Sequence, residues 1–169
     1  GNASPMTFTG TRSYLLGEGE VAVIDPGPDA PAHLGAILQA LQPSERSGHI
    51  LLTHSHVDHS AGVPALKAAT GASVRAFGPS SAGRSPRMAA LAAQGLGGGE
   101  GIDHAFAPDE TLADGAQLHG PGWTLEAHHT PGHISNHLCF VWPQGNAVFS
   151  GDHVMGWATT LVSPPDGDL

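Results

Sequence analysis

The sequence predicts an α/β fold of sandwich type. Three observations carry that expectation. Short apolar segments of strand character outnumber helical ones, and the helical segments fall between strands rather than in a block of their own. The third is size: 169 residues with 40% hydrophobic side chains suffice to bury a core within one domain or part of one.

Tyr14-Leu15-Leu16 and Val21-Ala22-Val23-Ile24 read as two strands joined by a tight Gly17-Glu18-Gly19 connection. Asp25-Pro26-Gly27-Pro28 ends the second. Asp29 is the expected N-cap of a helix with Pro31 in its first turn. Leu34, Ile37, Leu38 and Leu41 then recur at i, i+3, i+4 and i+7, one apolar stripe that Pro43 stops. Ile50-Leu51-Leu52 is a short strand apolar on both faces. A second helix is expected over 62–69, with Pro64 early and Gly71 after it, and a further strand over 73–77. Residues 78–110 read as irregular, with a short helix possible around 88–93. Strands over 123–127, 138–142 and 147–149 complete the list, the last two flanking a Pro143-Gln144-Gly145-Asn146 turn.

The ends read as cut. The chain begins at Gly1, the first Met is Met6, no charged-then-apolar leader precedes the first strand, and the loop-like 163–169 stretch closes no element. A single partial domain over 1–169 and a cytoplasmic setting are the expectations.

Composition narrows the function. Six Lys+Arg against fifteen Asp+Glu give a net charge of −9, which lacks the broad basic face of a nucleic-acid binder. RNA as a partner is therefore not supported by charge. No apolar run approaches the roughly 20 residues a bilayer span needs, so no membrane partner is expected. A lone cysteine, Cys139, excludes an internal disulfide framework. Twelve histidines, more than all Cys, Met, Trp and Tyr together, point to metal.

The chemistry concentrates in His54-Ser55-His56-Val57-Asp58-His59, four metal-ligand side chains within six residues. Leaving an extended strand, His54 and His56 face the same way and can converge on one ion. Asp58 and His59 need a bend, which a strand-to-helix turn supplies. Imidazole with carboxylate suits Zn²⁺, Mn²⁺ or Fe²⁺ better than Ca²⁺ or Mg²⁺. The alternative is a solvated histidine-rich loop. Two later stretches with matching context favour the metal reading: Thr130-Pro131-Gly132-His133 and Ser150-Gly151-Asp152, each just after a strand.

Together, His-x-His-x-Asp-His, the later Thr-Pro-Gly-His and Ser-Gly-Asp resemble the metallo-β-lactamase superfamily, in its order and strand context. Gly10-Thr11, Tyr14–Gly17, Ile24–Gly27 and the Leu112–Gly115 turn are similar too, so the resemblance covers most of the chain. It implies an αββα metallo-β-lactamase sandwich, two mixed β-sheets flanked by helices, incomplete at the C-terminus. It implies that His54, His56 and His133 hold one divalent metal, that Asp58 and His59 hold a second, and that Asp152 bridges both. Zn²⁺ is the leading candidate for the pair. Within the superfamily, Thr130–His133 with His137 four residues on, then Ser150-Gly151-Asp152, and the tail Gly156-Trp157-Ala158-Thr159-Thr160 before Pro164-Pro165-Asp166-Gly167-Asp168, look most like the endoribonuclease-like β-lactamase-like protein 2 branch. One departure stands out. The family's last histidine ligand lies tens of residues beyond the bridging aspartate, whereas only seventeen residues follow Asp152 here and none after His153 is a histidine.

The implied function is a metal-dependent hydrolase directing a metal-bound hydroxide at a small-molecule ester or thioester, or at a phosphodiester. Asp58 is its candidate catalytic residue, orienting or deprotonating the water. Two alternatives are a mono-iron persulfide dioxygenase-like oxidoreductase and a metal-binding module without activity. Asp25, ending a strand, is expected to fix the tautomer of a ligating histidine. His137 is a candidate for a supporting or substrate-facing role. Of His128 and His129, one is expected to face the core and the other solvent. Cys139 reads as a small buried hydrophobe. Arg84 and Arg87 could meet an anionic substrate, with a solvated loop the more ordinary reading. Substrate, metal identity and oligomeric state are not fixed by the sequence.

Overall fold

The computed structural model describes residues 2–168. Two sheets face each other. The first is mixed, with β1 (Tyr14–Leu16) antiparallel to β2 (Glu20–Ile24), followed by β3 (Arg46–Leu51), β4 (Ser73–Ala76) and β5 (Glu110–Thr111), all parallel, in the order β1-β2-β3-β4-β5. The second is an antiparallel meander of β6 (Ala116–Gly120), β7 (Trp123–His129), β8 (Leu138–Trp142) and β9 (Ala147–Phe149). A single 3₁₀ turn over Pro143–Gly145 joins β8 to β9.

Alternation along the strands separates two cores. Ala22, Ile24 and Leu51 point to the second sheet and pack with Leu118, Trp123, Leu125, Ala127, Leu138 and Phe140. Val23 and Ile50 point the other way, toward the helices α1 (Pro31–Ala40) and α3 (Val63–Thr70), where Ile37, Val63 and Leu66 meet them. These clusters account for a helix layer and two sheets. The far face of the second sheet carries Glu126 of β7 beside Val141 and the exposed Val148, and no apolar cluster forms there among the described residues.

Several local expectations shift. The cap of α1 is Ala30, not Asp29, and no side chain bonds its first turn; Pro31 does the work instead by fixing φ at the first helical position. β3 begins earlier than expected and stops at Leu51; Leu52 still donates to the Arg75 carbonyl of β4, and Thr53 and His54 beyond it turn to the site. The bend after His56 is a four-residue helix, α2 (Val57–Ser60), closed by the Ala61 N–H donating to the Val57 carbonyl. The possible helix in the 78–110 stretch forms as α4 (Pro86–Ala93), whose first turn is capped by the Ser85 hydroxyl accepting from the Met88 N–H. β5 and β6 had no apolar run to announce them: β5 is two exposed residues, and only Leu118 of β6 is buried.

Among the described residues, no helix is long and apolar enough to cross a membrane.

Candidate metal centre

The site sits where β2 and β3 end side by side. The Asp25 N–H donates to the Leu51 carbonyl, so the first residue past β2 is held against the last of β3. Asp25 takes a left-handed backbone, φ 51°, which turns its carboxylate back into the protein. There one oxygen accepts from the Thr53 N–H at 2.7 Å, and the other accepts from the Thr53 hydroxyl at 2.7 Å and faces His59 Nδ1 at 2.9 Å.

A carboxylate is an acceptor only, so these contacts propagate a direction. His59 donates through Nδ1 and turns Nε2 outward. The Thr53 hydroxyl, having given its proton to Asp25, accepts from His54 Nδ1 at 3.0 Å, which leaves His54 Nε2 as a bare lone pair. His54 is fully buried, and that Nε2 has no hydrogen-bond partner. His133 is fixed by a third contact: its Nδ1 donates to the Leu161 carbonyl at 2.6 Å, so its Nε2 also turns inward.

The six predicted ligand side chains meet here. Nitrogens of His54, His56 and His133 lie within 4.8 Å of one another, as do donor atoms of His54, His59 and Asp152. His56 Nδ1 and His133 Nε2 are 2.9 Å apart. His59 Nε2 is 3.4 Å from Asp58 Oδ2 and 3.4 Å from Asp152 Oδ1, while Asp152 Oδ2 is 3.7 Å from His133 Nε2. Asp152 thus turns one oxygen toward each group of imidazoles. Asp58 is also held by the Thr11 hydroxyl, which donates to its Oδ2 at 2.5 Å.

Protonation follows from this packing. Burial, then the neighbouring imidazoles, holds His54 well below the usual histidine value, and burial with His133 pushes His56 down to about 4. Burial works against charge on His59 as well, yet the carboxylates of Asp25, Asp152 and Asp58 outweigh it and raise His59 to about 10. Asp152 is lowered: burial opposes its charge, but the hydrogen bond and charge of His59 win.

This donor set fits divalent cations. Three imidazoles turn ring nitrogens toward one another, one of them buried without any partner, and three carboxylates surround a fourth imidazole that must otherwise carry a proton. Nitrogen and carboxylate oxygen together match Zn²⁺, Mn²⁺ or Fe²⁺.

Other histidines stand apart. His129 stacks on Phe77 at 3.8 Å and bonds the Ser135 carbonyl, and His128 lies beside Glu126 on the outer face. His153 is exposed, its ring 5.9 Å from that of His137, and it belongs to neither donor group. His137 is buried against His54, ring centroids 5.0 Å apart, with Nδ1 on the Thr130 hydroxyl and Nε2 unpartnered. Cys139 is buried, which pushes its thiol pKa up. Arg84 is neither solvated nor free for a substrate: it is paired with the buried Asp166. Thr53, Thr11 and Leu161 were missed. A threonine hydroxyl or a backbone carbonyl has no sequence signature until the fold aims it.

Two openings reach the centre. One, about 430 Å³, is walled by the 6–14 and 148–157 segments; the other, about 640 Å³, by 98–101 and 161–166; Asp58 and Asp152 line both.

Comparison with known proteins supplies relatives of known family. The chain is 33% identical over 164 residues to the lactamase-like protein aptB of Emericella nidulans, covering 96% of this chain and 46% of that protein. It is 34% identical over 164 residues to the atrochrysone carboxyl ACP thioesterase of Aspergillus terreus, covering 95% and 44%. The chain therefore spans about half the length of the curated relatives it matches. Among solved structures, TTHA1623 in a di-iron-bound form superposes with a TM-score of 0.66 at 31% identity, over 92% of this chain and 74% of that one. The BLEG-1 B3 metallo-beta-lactamase gives 0.69 at 25%, over 92% and 73%. The family model of the Metallo-beta-lactamase superfamily matches residues 6–169, and the chain belongs to that superfamily.

Proposed function

We propose that this chain forms the metal-binding part of a hydrolase that cleaves acyl thioesters. The observation that carries the reading is the convergence of six candidate ligand side chains from three separate stretches, with the Asp152 carboxylate turned to both groups. The choice of thioester among the bonds such a centre can cleave is supported by relatives named as thioesterases, in Aspergillus terreus and Emericella nidulans.

His54, His56 and His133 would hold one cation, and Asp58, His59 and Asp152 a second. When bound, such a pair lowers the pKa of water toward neutrality and polarises an acyl oxygen. The protein's own groups prepare for it. Asp25 and Thr53 fix His59 and His54 with their Nε2 atoms facing the other donor groups, and the Leu161 carbonyl does the same for His133. Asp58 lines both openings, with Thr11 steadying one oxygen, so it is placed to orient a water and take its proton. Neither a Ser-His-Asp nor a Cys-His nucleophile set is needed.

Elemental analysis of metal per chain in the full-length protein, paired with a panel of thioester and phosphodiester substrates, tests this. We expect thioester turnover that chelation abolishes and that falls by at least about 100-fold in His56→Ala and Asp58→Ala. Folded variants keeping full turnover would sink the reading.

A further inference from the structure

The 430 Å³ opening carries an unusual surface. Met6, Phe8, Tyr14, Val148, Val154 and Trp157 all line it, and they are six of the ten exposed large hydrophobic side chains among the described residues. Such side chains scattered singly need no explanation, but a concentration of them beside reactive groups marks a ligand surface. Phe8 and Trp157 come from opposite ends of the chain and stack at 5.5 Å with planes 20° apart, while remaining 59% and 44% exposed. Phe8 is also one of three described non-glycine residues with positive φ, at 53°, and another is Asp25 in the same cavity. A bulky side chain held in that conformation without burial is strained backbone that packing does not explain.

The loop bearing Met6 and Phe8 is tied to the metal centre. Asn2 accepts from the Thr11 N–H at 3.0 Å and donates to the Thr11 hydroxyl at 3.0 Å, and that hydroxyl donates on to Asp58. The aromatic pair is therefore registered against the carboxylate that faces the reaction.

We propose that this cavity is the acyl subsite, and that it takes a flat, apolar acyl group laid on the Phe8–Trp157 pair with its carbonyl directed at Asp58, His59 and Asp152. Flat groups gain from an aromatic platform both by burial and by offset stacking, whereas a short aliphatic acyl group has little surface to bury and no ring to stack. The proposal rests on the hydrolase reading for its reaction but not for its ligand.

The test uses the metal-loaded, full-length protein with 2-naphthoyl and acetyl thioesters of N-acetylcysteamine. In Phe8→Ala and Trp157→Ala, the ratio of kcat/KM for naphthoyl over acetyl should fall about tenfold, and Trp157→Phe should recover most of it. An unchanged ratio overturns the subsite. Calorimetric titration with 2-naphthoate supplies a readout independent of turnover: saturable binding lost in the Phe8→Ala/Trp157→Ala double variant supports the subsite even if no thioester is cleaved, a result that would count against the hydrolase reading alone. Absence of naphthoate binding, or a wild-type protein that dimerises through this face and becomes monomeric in the double variant, overturns it.

Discussion

The Asp25 carboxylate lies 2.9 Å from His59 Nδ1 and, through the Thr53 hydroxyl, also sets the direction of His54. One buried acid thus orients an imidazole in each of the two donor groups. Asp25→Asn tests this without disturbing the turn, because asparagine tolerates the left-handed backbone as well as aspartate does. Its amide cannot accept from all three donors, and it removes the charge that favours the outward Nε2 of His59. Metal affinity, measured by competition with a chromophoric chelator, should weaken by roughly 10–100-fold. Wild-type affinity in a folded variant would remove Asp25 from the design.

Acid and alkali should act on the metal-free protein with opposite signs. His54, His56 and His137 are neutral in the fold, with values below that of the unfolded chain. Their contribution is complete above about pH 6.5 and is lost as the pH falls toward 4, where the unfolded chain alone binds protons. His59 is raised to about 10, so its contribution is complete below about 6.5 and drains away as the pH climbs to 10. The melting temperature of chelator-treated protein should therefore decline on both sides of a maximum near neutrality. With saturating Zn²⁺ the alkaline decline should vanish, since a cation replaces the His59 proton. A flat profile between pH 5 and 9 without metal would contradict the charge pattern.

Much of this was legible because the informative residues are of few kinds. His54, His56, Asp58 and His59 share one turn, and Thr-Pro-Gly-His and Ser-Gly-Asp follow apolar strands, so strand pattern and ligand type coincide in the sequence. What escaped has weak local signal. β5 carries no buried side chain, and β6 buries only Leu118; both form because neighbouring strands offer edges. Asp29 has the chemistry of a cap, yet the chain enters α1 at Ala30, where Pro31 already fixes the geometry. The Arg84–Asp166 pair joins positions 82 residues apart, a separation that no spacing rule reaches.

Gly151 marks a close approach that only glycine allows. A Cβ built there would lie 2.7 Å from His137 Nε2 and 2.8 Å from the Thr53 hydroxyl, and the backbone sits at φ 48°. Gly151→Ala should cost about 2–4 kcal/mol, from crowding added to left-handed strain, and should displace the adjacent Asp152. Gly115→Ala is the control: φ is 75°, nothing lies within 4 Å of its Cβ, and only the ~1–2 kcal/mol conformational cost applies. Urea unfolding of both variants, with metal titration alongside, separates the two. Equal stability and equal metal affinity would show that Thr53 and His137 yield freely.

The tail from Leu161 to Asp168 holds the loop that carries His133. The Asp166 carbonyl accepts from both the N–H and the hydroxyl of Ser135 at 2.7 Å, and the Asp168 N–H donates to the Gly132 carbonyl at 3.1 Å. Asp166 is 4% exposed and ion-paired with Arg84, and the same tail presents the Leu161 carbonyl to His133 Nδ1. Arg84→Met keeps the aliphatic volume but strands a buried carboxylate, which costs about 3–5 kcal/mol when one partner of such a pair is removed. Adding Asp166→Asn removes the stranded charge and should recover at least half of that loss, because the two effects share one contact. If the tail also positions His133, the single variant should bind metal more weakly at pH 7, and the double variant should regain affinity in step with stability. Thermal melts with and without metal decide the matter. A single variant as stable as the wild type would mean that Arg84 is incidental, and one that loses stability but not affinity would confine the tail to a structural role.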